Sequence, residues 1–262
     1  MDYLKRVEIV LVSRYLWRKD VGVCERLTIT DGPEIRELLA DLGINYDDYE
    51  PFLPLINSGP TENIPIIFGN EDNRRIELAI WWYKLKLSTN RFVPEIRCKT
   101  FNARAQKLED IRLYQNAFRT QRCVIPASGF YGYKSVHGMR YPYYIKPKEK
   151  AIGFAGLYNR WNNGHESTYS CTLVTTDPHP RLAHIHDKSF PVMLTRDYAE
   201  SWLDPEITDI CGFNRAFNPK LRSDFVVIPV SHSAAENKNK GLECLTAVGE
   251  PELILKDRQW KN

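Results

Sequence analysis

Between Cys123 and Trp161 the chain reads CVIPASGFYGY, then a turn, then RYPYYIKPKEKAIGFAGLYNRW. Short β-branched and aromatic runs broken by Gly, Pro and Lys suit strands of an antiparallel sheet. The spacing predicts strands near residues 123–126, 130–134, 141–146, 151–157 and 169–175, with turns at 135–138 and 162–166. Asn102-Ala103-Arg104 lies just before this block and HIHDK, residues 184–188, just after it. The order suggests one sheet system with polar side chains gathered at one edge.

Around that centre the pattern is mixed. Cys24–Ile29 reads as a strand. Thr30 or Asp31 is a helix cap, Pro33 suits a first turn, and Ile35, Leu38, Leu39 and Leu42 form an apolar stripe ending at Gly43. Residues 45–63 read as irregular, 64–68 and 75–85 as strands, 86–101 as loop and 105–118 as a helix. A strand is expected over 190–194, a helix from Thr195 to Leu203 and a late strand over 226–230. Strands outnumber helices, and they do not alternate regularly. The expected class is therefore α+β: a compact, mainly antiparallel, β-barrel-like core with peripheral helices. Residues 1–22 stand apart as an N-terminal extension, and 23–262 read as one domain.

A chain of 262 residues buries a substantial core without staples. Its six cysteines show no CxxC spacing, which argues against a zinc ribbon and for reduced thiols. The opening segment has an apolar run of four or five residues, followed by Arg14, Arg18 and Lys19. That is too short for a membrane span or a signal core, so a cytoplasmic protein with no membrane partner is expected. The net charge of +3 neither requires nor excludes nucleic acid.

Several residue groups can carry chemistry, and each has a plain alternative. Asn102 and Arg104 share a face on an extended segment, suiting a carbonyl and a phosphate, or else a solvated turn. His184 and His186 also share a face if extended. With Asp187 they suit proton exchange, or a structural role; no third ligand stands at diagnostic spacing, so no metal and no cofactor is expected. Cys24 is a nucleophile if exposed and partly ionised, or an inert buried thiol. Tyr131, Tyr133, Tyr141, Tyr143 and Tyr144 interleave with Arg140 and Lys146. They either stack bases or are ordinary strand residues.

VCERL at 23–27, NAR at 102–104, RCVIPASGFYGY at 122–133, FAGLYNRW at 154–161 and IHDKSFPVML at 185–194 together resemble the SOS response-associated peptidase (SRAP) family. The resemblance spans roughly residues 23–245 and rests on separate pieces recurring in one order. It implies a barrel-cored α+β fold with a basic groove for single-stranded DNA and action at abasic sites. It implies that Cys24 is the catalytic cysteine, whose thiol and free α-amine together form a thiazolidine with the abasic aldehyde. By the same resemblance Asn102 helps hold the reacting end, Arg104 contacts backbone phosphate and His186 assists proton transfer. Arg26 of the Cys-x-Arg pattern and Tyr131 join Asn102 and Arg104 as expected DNA-binding residues.

Two departures qualify what the resemblance implies. Cys24 is internal, so it has no α-amine unless the chain is cut after Val23. Gly132 stands where the family has a catalytic Glu, and nearby Glu25, following the cysteine, is expected to substitute only by chance. The leading expectation is a divergent member that binds single-stranded or abasic-site DNA with weak or absent crosslinking. The alternatives are a crosslinking, self-processing cysteine enzyme matured by cleavage before Cys24, and a non-catalytic structural or protein-interaction module.

Overall fold

The computed structural model of the chain describes residues 25–49 and 54–257. The N-terminal extension and Cys24 lie outside the described residues. The strands, in chain order, are β1 (Leu27–Ile29), β2 (Leu55–Ser58), β3 (Asn63–Phe68), β4 (Arg75–Trp81), β5 (Leu85–Ser88), β6 (Arg91–Pro94), β7 (Asn102–Arg104) and β8 (Arg122–Ala127). They continue with β9 (Gly129–Val136), β10 (Met139–Pro147), β11 (Ile152–Asn162), β12 (Ser167–Thr176), β13 (Phe190–Pro191), β14 (Met193–Leu194), β15 (Phe225–Pro229) and β16 (Glu252–Ile254).

Five strands close into a ring: β12, β4, β3, β8 and β11 follow one another, and β11 pairs back onto β12. The expected α+β class with a barrel-like core is thus the observed one. Most of its pairings are antiparallel, while β12 runs parallel to both β4 and β7. A second sheet runs in the order β16-β15-β10-β9-β1-β2. The chain passes from barrel to second sheet at Ser128, whose hydroxyl accepts from the Thr30 amide at 2.9 Å. Gly129, next along, is forced by crowding: a Cβ there would lie 2.6 Å from the Tyr144 ring and 2.8 Å from the Ile145 carbonyl oxygen.

Strand β8 is buried along its whole length because the barrel interior lies on one face and helices cover the other. The helices Pro33–Asp41, Arg112–Thr120 and Arg196–Leu203 supply Leu39, Phe118 and Trp202 to the main core. Arg122 is buried among them and donates to the carbonyls of Trp202, Phe118, Arg119, Asp204 and Ile207.

Four local expectations are corrected. The expected loop 86–101 contains the β5–β6 hairpin, turning at Thr89 and Asn90 with φ of 46° and 66°. Two left-handed residues without glycine give no turn signature in the sequence. The long strand 75–85 stops at Trp81, and the helix expected from Ala105 begins at Arg112 after a 3-10 turn over Ala105–Lys107. Strand β2 and the short helix Tyr46–Tyr49 lie in the stretch read as irregular.

Candidate functional site

The site grows from the pairing of β1 with β9. Leu27 stands opposite Phe130 and Thr28 opposite Gly129, and the Tyr131 amide donates to the Arg26 carbonyl at 3.1 Å. One residue further, the same register sets Glu25 across from Gly132. Directly opposed residues of an antiparallel ladder project to the same face. On that face Phe130 packs edge-on to the His186 ring, centroids 6.3 Å apart. A Cβ added to Gly132 would come within 3.4 Å of the His186 Cβ and 3.3 Å of the Ile185 carbonyl oxygen. Gly132 is therefore packed against Ile145, whose nearest atom would lie 3.0 Å from that Cβ, and against the loop that carries His186.

Both titratable groups here are out of water. Glu25 is 4% exposed, and burial pushes its carboxyl up to about 7. Arg140, Arg26 and Lys188 pull it the other way without restoring an ordinary acid. His186 is 1% exposed, and burial holds it down to about 4, against the opposing pull of Asp187 and the Ser189 backbone. At neutral pH the imidazole is uncharged and the carboxyl is half-protonated, the condition under which a group exchanges protons most readily. Neither ring nitrogen of His186 nor the Ser189 hydroxyl has a hydrogen-bond partner by geometry among the described residues, while Arg140 lies on the other face of the sheet, its guanidinium 3.9 Å from the centroid of the Tyr133 ring. Buried polar atoms are nearly always satisfied, so a bare imidazole at this depth is a candidate point of ligand contact.

His186 sits on a coiled loop, not an extended one. The amides of Ile185 and His186 both donate to the Leu182 carbonyl, at 3.0 and 2.9 Å. The coil separates the two histidines: His184 is exposed and lies 3.5 Å from Glu252, while His186 points inward. The shared face expected from alternation is thereby corrected. The C-terminal segment clasps this loop, with Asp257 bonded to His179 at 3.1 Å, to Arg181 and to the Leu221 amide at 3.0 Å.

The other expected residues fall as follows. Asn102 and Arg104 lie on β7 with buried Ala103 between them, so they do share a face. β7 is anchored to the end of β12, where Thr175 pairs with Arg104 on one side and with Pro191 of β13 on the other. Arg104 is exposed, donates to the Thr176 carbonyl at 2.8 Å and pairs with Asp177 at 3.2 Å. Arg26 is 2% exposed and donates to the Asn57 carbonyl, while Tyr131 is fully buried with its hydroxyl 3.1 Å from that of Thr28. Neither offers a surface to a strand: alternation puts both on the far side of the β1–β9 ladder from His186, inside a cluster with Ile56, Tyr133 and Tyr144. Only Tyr141 and Tyr143 of the expected aromatic set are partly exposed. Glu25 and Ser189 were not expected near His186. For Glu25 a signal existed, since it alternates with the core residues Leu27 and Ile29 on an apolar strand. Ser189 left none.

The fold is one seen before. A crystal structure of a protein from Bacteroides thetaiotaomicron superposes with a TM-score of 0.66 at 19% identity, covering 86% of this chain and all of that one. A phage-related protein from Bordetella bronchiseptica gives 0.56 at 22% identity over 79% of this chain and 94% of its own. Residues 23–236 match the family described as SOS response associated peptidase (SRAP), and this chain belongs to that family. Among its relatives, the abasic site processing protein YoaM of Bacillus subtilis is 31% identical over 205 residues, 75% of this chain and 86% of that one. The abasic site processing protein YoqW of the same organism is 31% identical over 77% of this chain and 91% of its own. The abasic site processing protein HMCES of Xenopus tropicalis is 27% identical over 77% of this chain and 68% of its own.

Proposed function

We propose that this chain acts on DNA at abasic sites, binding single-stranded or abasic-site DNA with weak or absent covalent capture. The observation that carries it is the buried His186 imidazole, neither of whose ring nitrogens has a hydrogen-bond partner by geometry among the described residues, packed beside Gly132. The names of the relatives supply the substrate class. Arg104 contacts backbone phosphate from its exposed position, Asn102 holds the reacting end and His186 handles protons at the sugar. Cys24 is the residue that meets the aldehyde. As an internal residue it brings only a thiol, and a thiol alone adds to an aldehyde reversibly. Arg26 and Tyr131 act only indirectly, by packing the far side of the β1–β9 ladder.

Gel shifts of the full chain with abasic and intact single strands, run at low salt, test this. Binding of the abasic strand is expected. Failure to bind either strand, where phosphate contacts are strongest, ends the reading.

A second reading has one observation in its favour: the family match begins at residue 23, immediately before Cys24. If residues 1–23 are removed, the Cys24 amine and thiol together close a thiazolidine on the abasic carbon with loss of water. Intact mass after incubation with abasic DNA separates the two. A shortened chain carrying a stable adduct establishes the second reading, and a full-length mass with no adduct supports the first.

A further inference from the structure

We propose that the outer edge of β16 is a self-association surface, where the same strand of a second copy of this chain pairs antiparallel about a two-fold axis at Ile254. Strand β16 ends the six-stranded sheet, and among the described residues β15 is its neighbour on one side only. The bonds of β15 fix which groups of β16 are free. The Val230 amide donates to the Pro142 carbonyl at 3.1 Å and the Lys148 amide to the Asp224 carbonyl at 2.9 Å. Even-numbered residues along β15 therefore bond β10, and Phe225 and Val227 turn to β16, opposite Ile254 and Glu252. The N–H and C=O groups of the alternate residues, Leu253 and Leu255, point away from the sheet. The Leu255 carbonyl accepts from Arg181 at 2.5 Å and keeps a second lone pair, while the other three groups have no partner among the described residues. The two leucine side chains share a face, opposite the one on which Ile254 enters the main core, and are 49% and 56% exposed. Soluble proteins usually cover or blunt such an edge.

The residue order of the edge fits a second copy of itself. From residue 252 it reads Glu-Leu-Ile-Leu-Lys, a pattern that complements its own reverse. Pairing centred on Ile254 sets Glu252 opposite Lys256 of the other copy and Leu253 opposite Leu255, each twice by symmetry. In that register the outward groups of Leu253 and Leu255 are the ones that bond. A slip of one residue sets Glu252 against Ile254 and loses both ion pairs. Glu252 and Lys256 are exposed, and on one extended strand they stand about 13 Å apart, so neither satisfies the other within a chain. His184 lies 3.5 Å from one Glu252 oxygen and leaves the second free.

Sedimentation velocity of the full chain, diluted from about 200 μM to about 1 μM, tests this, because so short a paired edge makes a small and therefore weak interface. A reversible dimer is expected at the upper end, with deuterium exchange at the Leu253 and Leu255 amides slowing as it forms. Leu253→Asp/Leu255→Asp, at two exposed positions, should leave a monomer throughout. Glu252→Lys alone and Lys256→Glu alone should each raise the dissociation constant roughly 10-fold, since each sets like charges across the axis twice. The double variant Glu252→Lys/Lys256→Glu should restore the wild-type value, which no effect confined to one chain would do. A wild type that stays monomeric at every concentration overturns the proposal, and slow exchange at Leu253 and Leu255 in that monomer would show the edge held by its own chain. A dimer untouched by Leu253→Asp/Leu255→Asp, or a charge swap that fails to restore association, overturns it equally.

Discussion

Glu25 and His186 are both buried, and their effects on stability oppose each other. The Glu25 carboxyl is raised from 4.5 to about 7, so the folded chain holds a proton there that the unfolded chain has released. Its stabilisation is full below about pH 4.5 and lost as pH rises towards 7. His186 is lowered from 6.5 to about 4, so the unfolded chain binds the extra proton between those values. Its stabilisation is full above about pH 6.5 and lost as pH falls towards 4. Each effect is on the order of 3 kcal/mol, and over the shared window they nearly cancel. Urea denaturation of Glu25→Gln should therefore uncover a stability that climbs from pH 4 to pH 6.5, where the wild type is flat. A variant as flat as the wild type would show that the two groups do not titrate as described. Gly129→Ala puts a methyl 2.8 Å from the Ile145 carbonyl oxygen, and neither that oxygen nor the strand carrying it can retreat. It should cost about 1–3 kcal/mol, read as a lower urea midpoint at unchanged slope.

At the scale of elements, two polar ties set where the site's walls stand. Arg122 joins the helices Arg112–Thr120 and Arg196–Leu203 to β8 through five carbonyls. Burial lowers its guanidinium to about 10, against the pull of Asp204, and it stays charged at neutral pH. Arg122→Met removes those donors and leaves the carbonyls buried, so a loss of roughly 3 kcal/mol is expected in denaturant. The second tie is the C-terminal clasp on the loop of His186. Burial tends to raise the Asp257 carboxyl, yet the Leu221 amide, His179 and Arg181 together hold it below the usual range. The clasp is therefore complete above about pH 4 and opens as pH falls through that lower value. In Asp257→Asn the amides of Leu182, Ile185 and His186 should exchange with deuterium faster at neutral pH, while those of β8 stay protected. Unchanged exchange in the loop would mean that the clasp does not hold it.

Across the whole molecule a net charge of +3 is too small to hold a polyanion without local concentration. The β5–β6 hairpin and the turn after it concentrate it, with Lys84, Lys86, Arg91, Arg97 and Lys99 all exposed and Glu95 the acid between them. If DNA runs over this hairpin, the triple variant Lys84→Gln/Arg91→Gln/Arg97→Gln should weaken single-strand binding alike for intact and abasic strands. The slope of log affinity against log salt should fall by about 2, near 0.7 for each phosphate that is no longer neutralised. An unchanged slope would place the strand elsewhere.

The sequence by itself determined the strand-rich α+β class, the central run of strands and the family, because alternation and turn residues are local signals. It also placed Asn102 beside Arg104 on one face, because an extended segment fixes that at short range. It did not reveal the β5–β6 hairpin, whose left-handed turn residues are a threonine and an asparagine, nor the separation of His184 from His186, which depends on a coil closed by the Leu182 carbonyl. Only the tertiary structure decided that Glu25 is buried across from Gly132 and that the His186 loop packs against that glycine. The register of two strands about a hundred residues apart in the chain, and the burial that retunes both groups, are properties of packing that no local pattern encodes.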